Sequence, residues 1–186
     1  MEDQIKKPVK NNATKVATKW ALTYLAVAIV ITYTFEFLNV DQSSSWKTVS
    51  YIPFFGFLFL TQKEFRDQIG GYMTFGDGFS AGFRYSVFTG LLVALFTYLY
   101  FWILSPQMFD KMLDTIQTAL EQKSADENVI EKTMAFYKSW GRVTFAFGGA
   151  IGITVIGTIV ALIGAAIFKK ERSPYDIVED AVDPTV

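Results

Sequence analysis

The sequence predicts an all-α fold: an integral membrane four-helix bundle with an extra-membrane amphipathic helical hairpin. Three observations carry that expectation. Hydrophobic residues make up 51% of the 186-residue chain and are gathered in long blocks. Lysines and arginines collect beside alternate ends of those blocks. Between the last two blocks, apolar residues recur at the three- and four-residue spacing of an amphipathic helix.

Composition also excludes. The chain contains no cysteine and no histidine. Disulfides, thiol chemistry, Cys/His zinc sites, iron–sulfur clusters and His-ligated haem are thereby removed. So is the commonest general base near neutral pH. Any catalysis would have to rest on carboxylates, Lys, Tyr or Ser/Thr, so no enzyme, cofactor or metal is expected. A net charge of −1, with no basic patch outside the membrane flanks, argues against nucleic acid.

Residues 1–19 form a basic segment carrying Lys6, Lys7, Lys10, Lys15 and Lys19. The apolar block after it, span one at about 20–40, runs into "TYTFEFLNV" without a small-residue cleavage site. It therefore reads as a retained span and not as a signal peptide. Span two, about 46–69, is the shortest: "YIPFFGFLFL" is uncharged, and its helix extends into "TQKEFRDQI". Spans three and four, about 74–104 and 142–168, exceed the roughly 20 residues that cross a bilayer. With four crossings, the N-terminal lysines, then Lys63, Arg66 and Arg84, then Lys169, Lys170 and Arg172 fall on one side. The positive-inside rule then predicts a multi-pass protein with both termini cytoplasmic. Asn12-Ala13-Thr14 matches a glycosylation sequon, which this topology keeps in the cytoplasm. The tail, residues 171–186, is acidic, has two prolines and no helical stripe, and reads as mobile.

The outer segment, residues 105–140, reads as a helical hairpin. Ser105-Pro106 suits a helix start, because Pro at the first position gives up an amide that had no partner. Phe109, Met112, Leu113, Ile116 and Leu120 then make one apolar stripe. Ser124 to Glu127 ("SADE") has the form of a capping box, and Ile130, Met134, Tyr137 and Trp140 make a second stripe.

The stretch "GGYMTFGDGFSAGFR", residues 70–84, links spans two and three. Gly70 and Gly71 suit a helix end that needs positive φ. Thr74 and Asp77 form a capping pair at the next start, where a negative charge also meets the helix dipole. Gly78, Gly82, Ser86, Gly90 and Ala94 then fall four apart along span three. Span four has Gly148 and Gly152 on one row and Gly157, Ala161 and Ala165 on another. Small residues at that spacing let backbones approach closely inside lipid, so these are the predicted helix-packing residues. An alternative use of the same stretch is a lipid-headgroup contact by Arg66 and Arg84 beside glycine amides at the helix start. Asp77 stands where the anion would sit, and the stretch matches neither a phosphate-loop nor a dinucleotide pattern.

Glu36 is a carboxylate in the outer half of span one, and such a group is costly unless paired or wet. Its two readings are a proton or cation site, and an interfacial residue near Asn39, Asp41 and Lys47. Trp20, Trp46, Tyr98, Tyr100, Trp102 and Trp140 fall near span ends, as interfacial anchors do.

The run "RDQIGGYMTFGDGFSAGF", then "YLYFWILSPQMFDKML", "VIEKTM" and a Gly/Ala-rich last span ending "AAIFKKE" resembles a family of small bacterial four-span membrane proteins. That family is catalogued only as a domain of unknown function. The matching positions are Arg66, Gly71, Thr74, Phe75, Gly76, Pro106, Phe109 and Lys111, and the resemblance covers most of residues 20–170. It implies four spans and lends no activity or catalytic residue. The function expected is a non-enzymatic accessory subunit or scaffold, packing through its glycine faces against another integral membrane protein or a copy of itself. That partner would include an enzyme acting on lipid-linked substrates. The rival readings are a small transporter using Glu36 and Arg84, and a protein that binds membrane lipid headgroups.

Overall fold

The structure, a computed structural model, describes residues 12–38, 48, 51–123 and 126–171. The segment after span one with Asn39, Asp41, Trp46 and Lys47, the first half of "SADE", and both chain ends lie outside the described residues. The fold is all-α. Among the described residues five α-helices follow one another: α1 (Ala13–Phe37), α2 (Tyr51–Gln68), α3 (Phe75–Leu99), α4 (Pro106–Gln122) and α5 (Glu127–Phe168). A π-helical turn, Tyr100–Leu104, extends α3. Among the described residues three helices are long and apolar enough to cross a membrane: Ala13–Phe37, Phe75–Leu104 and Glu127–Phe168. Helix α2 carries Lys63, Glu64, Arg66 and Asp67 in its last turns and is not among them.

The residues up to Phe88 and from Val155 onward make one compact unit, and Thr89–Thr154 make a second. In the first, α2 buries Phe54, Leu58, Thr61, Gln62 and Phe65 along one face. The ring of Phe54 meets Tyr24 edge-on at 5.5 Å and Tyr85 at 5.6 Å. At one end, Ala13, Val16, Phe65, Met73 and Ala81 form a cluster closed by Trp20, Ile69 and Phe168. The start of α1, the end of α2, the start of α3 and the end of α5 therefore meet there.

The link between α2 and α3 is built as the glycines require. Gly70 and Gly71 adopt φ of 91° and 82°. The Gly71 amide donates to the Arg66 carbonyl at 2.9 Å and the Gly70 amide to that of Asp67 at 3.4 Å. This pair of bonds is the Schellman closure that satisfies the last carbonyls of a helix. At the start of α3 the Asp77 amide donates to Thr74 Oγ1 at 3.2 Å, and the Thr74 hydroxyl donates to Asp77 Oδ2 at 2.7 Å. Between stop and start, Met73 and Lys170 exchange both backbone bonds, at 2.8 and 2.9 Å. This isolated bridge ties the link to the end of α5.

In the second unit, α4 folds onto α5 through Phe109, Leu113 and Met134, with Phe101, Ile116, Ile130, Tyr137 and Phe145 around them. Gly141 makes this possible: a Cβ there would stand 3.0 Å from the Phe109 ring. One expectation changes. The second helix of the hairpin and span four are one unbroken helix of 42 residues, not two elements meeting at residue 141. No proline interrupts Glu127–Phe168, so no backbone donor is lost, and Gly141 is held helical under Phe109. At the start of α5, Asp126 Oδ1 accepts from the Asn128 amide at 2.8 Å; Ser124, the expected cap, lies outside the described residues. The inward stripe runs on through Gly141 and Phe145, while Trp140 is 61% exposed.

Candidate functional site

The polar groups of the first unit concentrate at its charged end. Helix α1 begins seven residues before the expected span, placing Lys15 and Lys19 within the helix. Lys19 Nζ donates to both Glu64 oxygens, at 2.7 Å for Oε1. The Trp20 indole donates to Glu64 Oε2 at 2.7 Å, and Gln68 Nε2 donates to Oε1 at 3.0 Å. Glu64 lies in the charged turns of α2, beyond its apolar stretch. Burial pushes its carboxyl upward, but the bonds from Lys19 and Trp20, the Lys19 charge and the Gln68 bond together hold it below the usual value. Lys63 pairs with Asp67 at 3.1 Å, Arg66 with Asp67 at 3.4 Å, and Lys170 stands over the Tyr72 ring at 5.2 Å.

One turn deeper, Gln62 is fully buried. Its Nε2 donates to the Ala161 carbonyl at 2.8 Å and to the Gly78 carbonyl at 3.0 Å. A single amide thus pins α2 to α3 and α5. Its Oε1 accepts no hydrogen bond from the described residues. Gly164 leaves room for it, since a Cβ there would sit 2.9 Å from Gln62 Cδ and 3.0 Å from the Phe59 ring.

The predicted packing residues divide into two groups. A Cβ on Gly78 would stand 3.2 Å from Ala165 Cα, and one on Gly82 2.7 Å from Ala161 Cβ. One on Gly157 would stand 2.7 Å from Ser86 Cβ and 2.8 Å from Phe54 Cζ. In the second unit, a Cβ on Gly90 would stand 3.0 Å from the Ala150 carbonyl oxygen, and Ala94 is buried. Each step forward on α3 meets a step back on α5, so the two run antiparallel. Among the described residues nothing stands within 4 Å of a Cβ on Gly148 or Gly152, or on their neighbour Gly149.

Among the charged candidates, Glu36 and Arg84 are not brought together. Arg84 Nη1 donates to Thr14 Oγ1 at 3.0 Å, in the first turn of α1. Arg66 packs over the Phe168 ring at 5.6 Å beside Asp67. Glu36 lies in the last turn of α1, so about 33 Å of helix separates it from Thr14. Sequence reasoning missed Gln62 and the Lys19–Glu64–Trp20 cluster. Gln62 was open to detection, because Phe54, Leu58 and Phe65 are apolar at helical spacing and the amide falls on that face.

The chemistry assembled here is that of helix association, in an all-α protein with three helices long and apolar enough to cross a membrane among the described residues. Residues 19–170 match the family described as Protein of unknown function (DUF4199), and the chain belongs to that family. No curated protein and no solved structure matches it.

Proposed function

We propose that the protein is a non-enzymatic subunit or scaffold of the bacterial inner membrane that packs against another integral membrane protein or a second copy of itself. The observation that carries this reading is the open glycine face of α5. Gly157, Gly164, Ala161 and Ala165 are taken up by α2 and α3, whereas Gly148, Gly149 and Gly152 face open space among exposed Phe147, Ile151 and Val155. A glycine on a lipid-facing helix surface has no packing role within its own chain. What it permits is close approach by another helix. Buried polar side chains are meanwhile spent on binding helix to helix: Gln62 as above and Tyr85 to the Phe54 carbonyl.

The same reading takes α2 as a fourth crossing and both ends as cytoplasmic. What supports it is the meeting of the start of α1 with the end of α5 at one end of the first unit, beside Lys15, Lys19, Lys63, Arg66, Arg84, Lys169 and Lys170. The transport alternative draws less support, because Glu36 and Arg84 stand toward opposite ends of α1. The deciding experiment is mild-detergent purification from native membrane followed by mass determination of the intact assembly. A defined assembly larger than the monomer, dispersed by Gly152→Leu, is expected. A monomer under all mild conditions would overturn the proposal.

A further inference from the structure

Helix α5 has 42 residues, about twice the roughly 20 that span a hydrocarbon core. Much of it therefore stands outside that core, where water would be the ordinary neighbour. One face obeys this expectation, with Glu127, Glu131 and Lys138 exposed. Another does not. Phe136, Trp140 and Val143 are 51%, 61% and 37% exposed, and at the same three- and four-residue steps the row continues into Phe147 and Ile151. Helix α4 leaves this row uncovered, because it packs on the face of Met134, Tyr137, Gly141 and Phe145.

A second observation fixes the level. Phe101 packs on Phe109 at 5.7 Å, and Phe109 lies on Gly141 and against Phe145. The neighbours of Phe101 and Gly141 in the chain are Trp102 and Trp140. Two indoles, 55% and 61% exposed, thus stand at one level, Trp102 near the end of the Phe75–Leu104 helix and Trp140 within the first half of α5. That is the pattern of an aromatic belt, in which an amphipathic ring sits at headgroup depth. Arg142, stacked 4.8 Å over the Phe109 ring, adds a cation there.

We propose that the base of the α4–α5 hairpin is seated in the membrane interface, with Phe136, Trp140 and Val143 of α5 covered by lipid. The occupant is lipid because this face continues the lipid-facing side of the helix without changing sides, and its first charge, Lys132, stands one turn before Phe136. The inference rests on the reading of α5 as a membrane crossing.

The chain has no cysteine, so single-cysteine variants carry a unique spin label. Phe136→Cys, Trp140→Cys, Glu131→Cys, Lys138→Cys and Ile151→Cys change exposed side chains only. The full chain is reconstituted in phosphatidylcholine vesicles, and collision with oxygen is compared with collision with a water-soluble nickel complex. The oxygen-to-nickel ratio is expected to be several-fold higher at positions 136 and 140 than at 131 and 138, approaching that at 151. A low ratio at 136 and 140 with a high one at 151 overturns this inference and leaves the crossing intact. Shielding of 136 and 140 from both reagents overturns it in favour of a protein neighbour. A low ratio at 151 overturns the crossing itself.

Discussion

At the scale of single residues, Gln62 decides most. It is a polar side chain in an apolar interior, and it is tolerated because its two donors reach carbonyls on two different helices. Gln62→Ala is expected to cost about 1–3 kcal/mol, from lost bonds and the cavity left behind. Thermal unfolding in detergent reads this directly, and an unchanged midpoint would show that the amide does not hold the helices. The glycines give a paired comparison. Gly157→Ala drives a methyl into Ser86 and Phe54, and overpacking of that kind costs about 1–3 kcal/mol. Gly148→Ala meets open space and should leave the midpoint of the dispersed protein where it was. Equal effects at the two positions would refute the assignment of inner and outer rows.

Glu64 belongs to the same scale. Its folded value lies below the ordinary one of 4.5 despite burial. Its contribution is therefore present above the ordinary value and is lost as pH falls through the folded one. The stability gap between wild type and Glu64→Gln should accordingly close on acidification from neutral pH. A gap that stays constant would mean that the Lys19 and Trp20 contacts contribute nothing through ionisation. In sequence these groups were legible only as separate residues, because Lys19 and Glu64 are 45 positions apart. Nothing local announces such a contact.

At the scale of elements, local chemistry was largely readable. Thr74 with Asp77, the two glycines before them and the proline at the start of α4 all act through their own backbone neighbourhood. The limits of α5 were not readable in the same way. A hydropathy change near residue 142 marks where the surroundings change, and a helix ends only where its hydrogen-bond ladder is broken. Nothing breaks it, so one helix passes from hairpin to span. The hairpin itself depends on Phe109 seated over Gly141. Phe109→Ala should remove about 3–5 kcal/mol of local packing. Hydrogen exchange is expected to speed up throughout α4 while α2 keeps its protection. Uniform loss across the chain would instead make Phe109 part of a global core.

At the scale of the whole molecule, the charged end carries the argument about topology. Lys15→Cys and Glu171→Cys are expected to react with a membrane-impermeant thiol reagent from one side of the membrane, and Gln117→Cys from the other. Reaction of the first two from opposite sides would mean that α2 does not cross. Helix α2 is the ambiguous element because its apolar stretch is short and its last turns are charged, so composition decides neither way. What favours a crossing is that its charged turns join those of α1, α3 and α5 at one end of a single unit.

The all-α class, the apolar blocks, the stop and start around Gly70 and Thr74 and the four-residue ladders follow from the sequence alone, because periodicity and capping act within a few residues of chain. Which row each ladder meets, where the Gln62 amide finds its carbonyls, and the Met73–Lys170 bridge were decided by the tertiary structure. Those contacts depend on the register between helices far apart in the chain. Two glycine rows of α5 look alike in sequence, and only the packing of α2 and α3 against one of them leaves the other open.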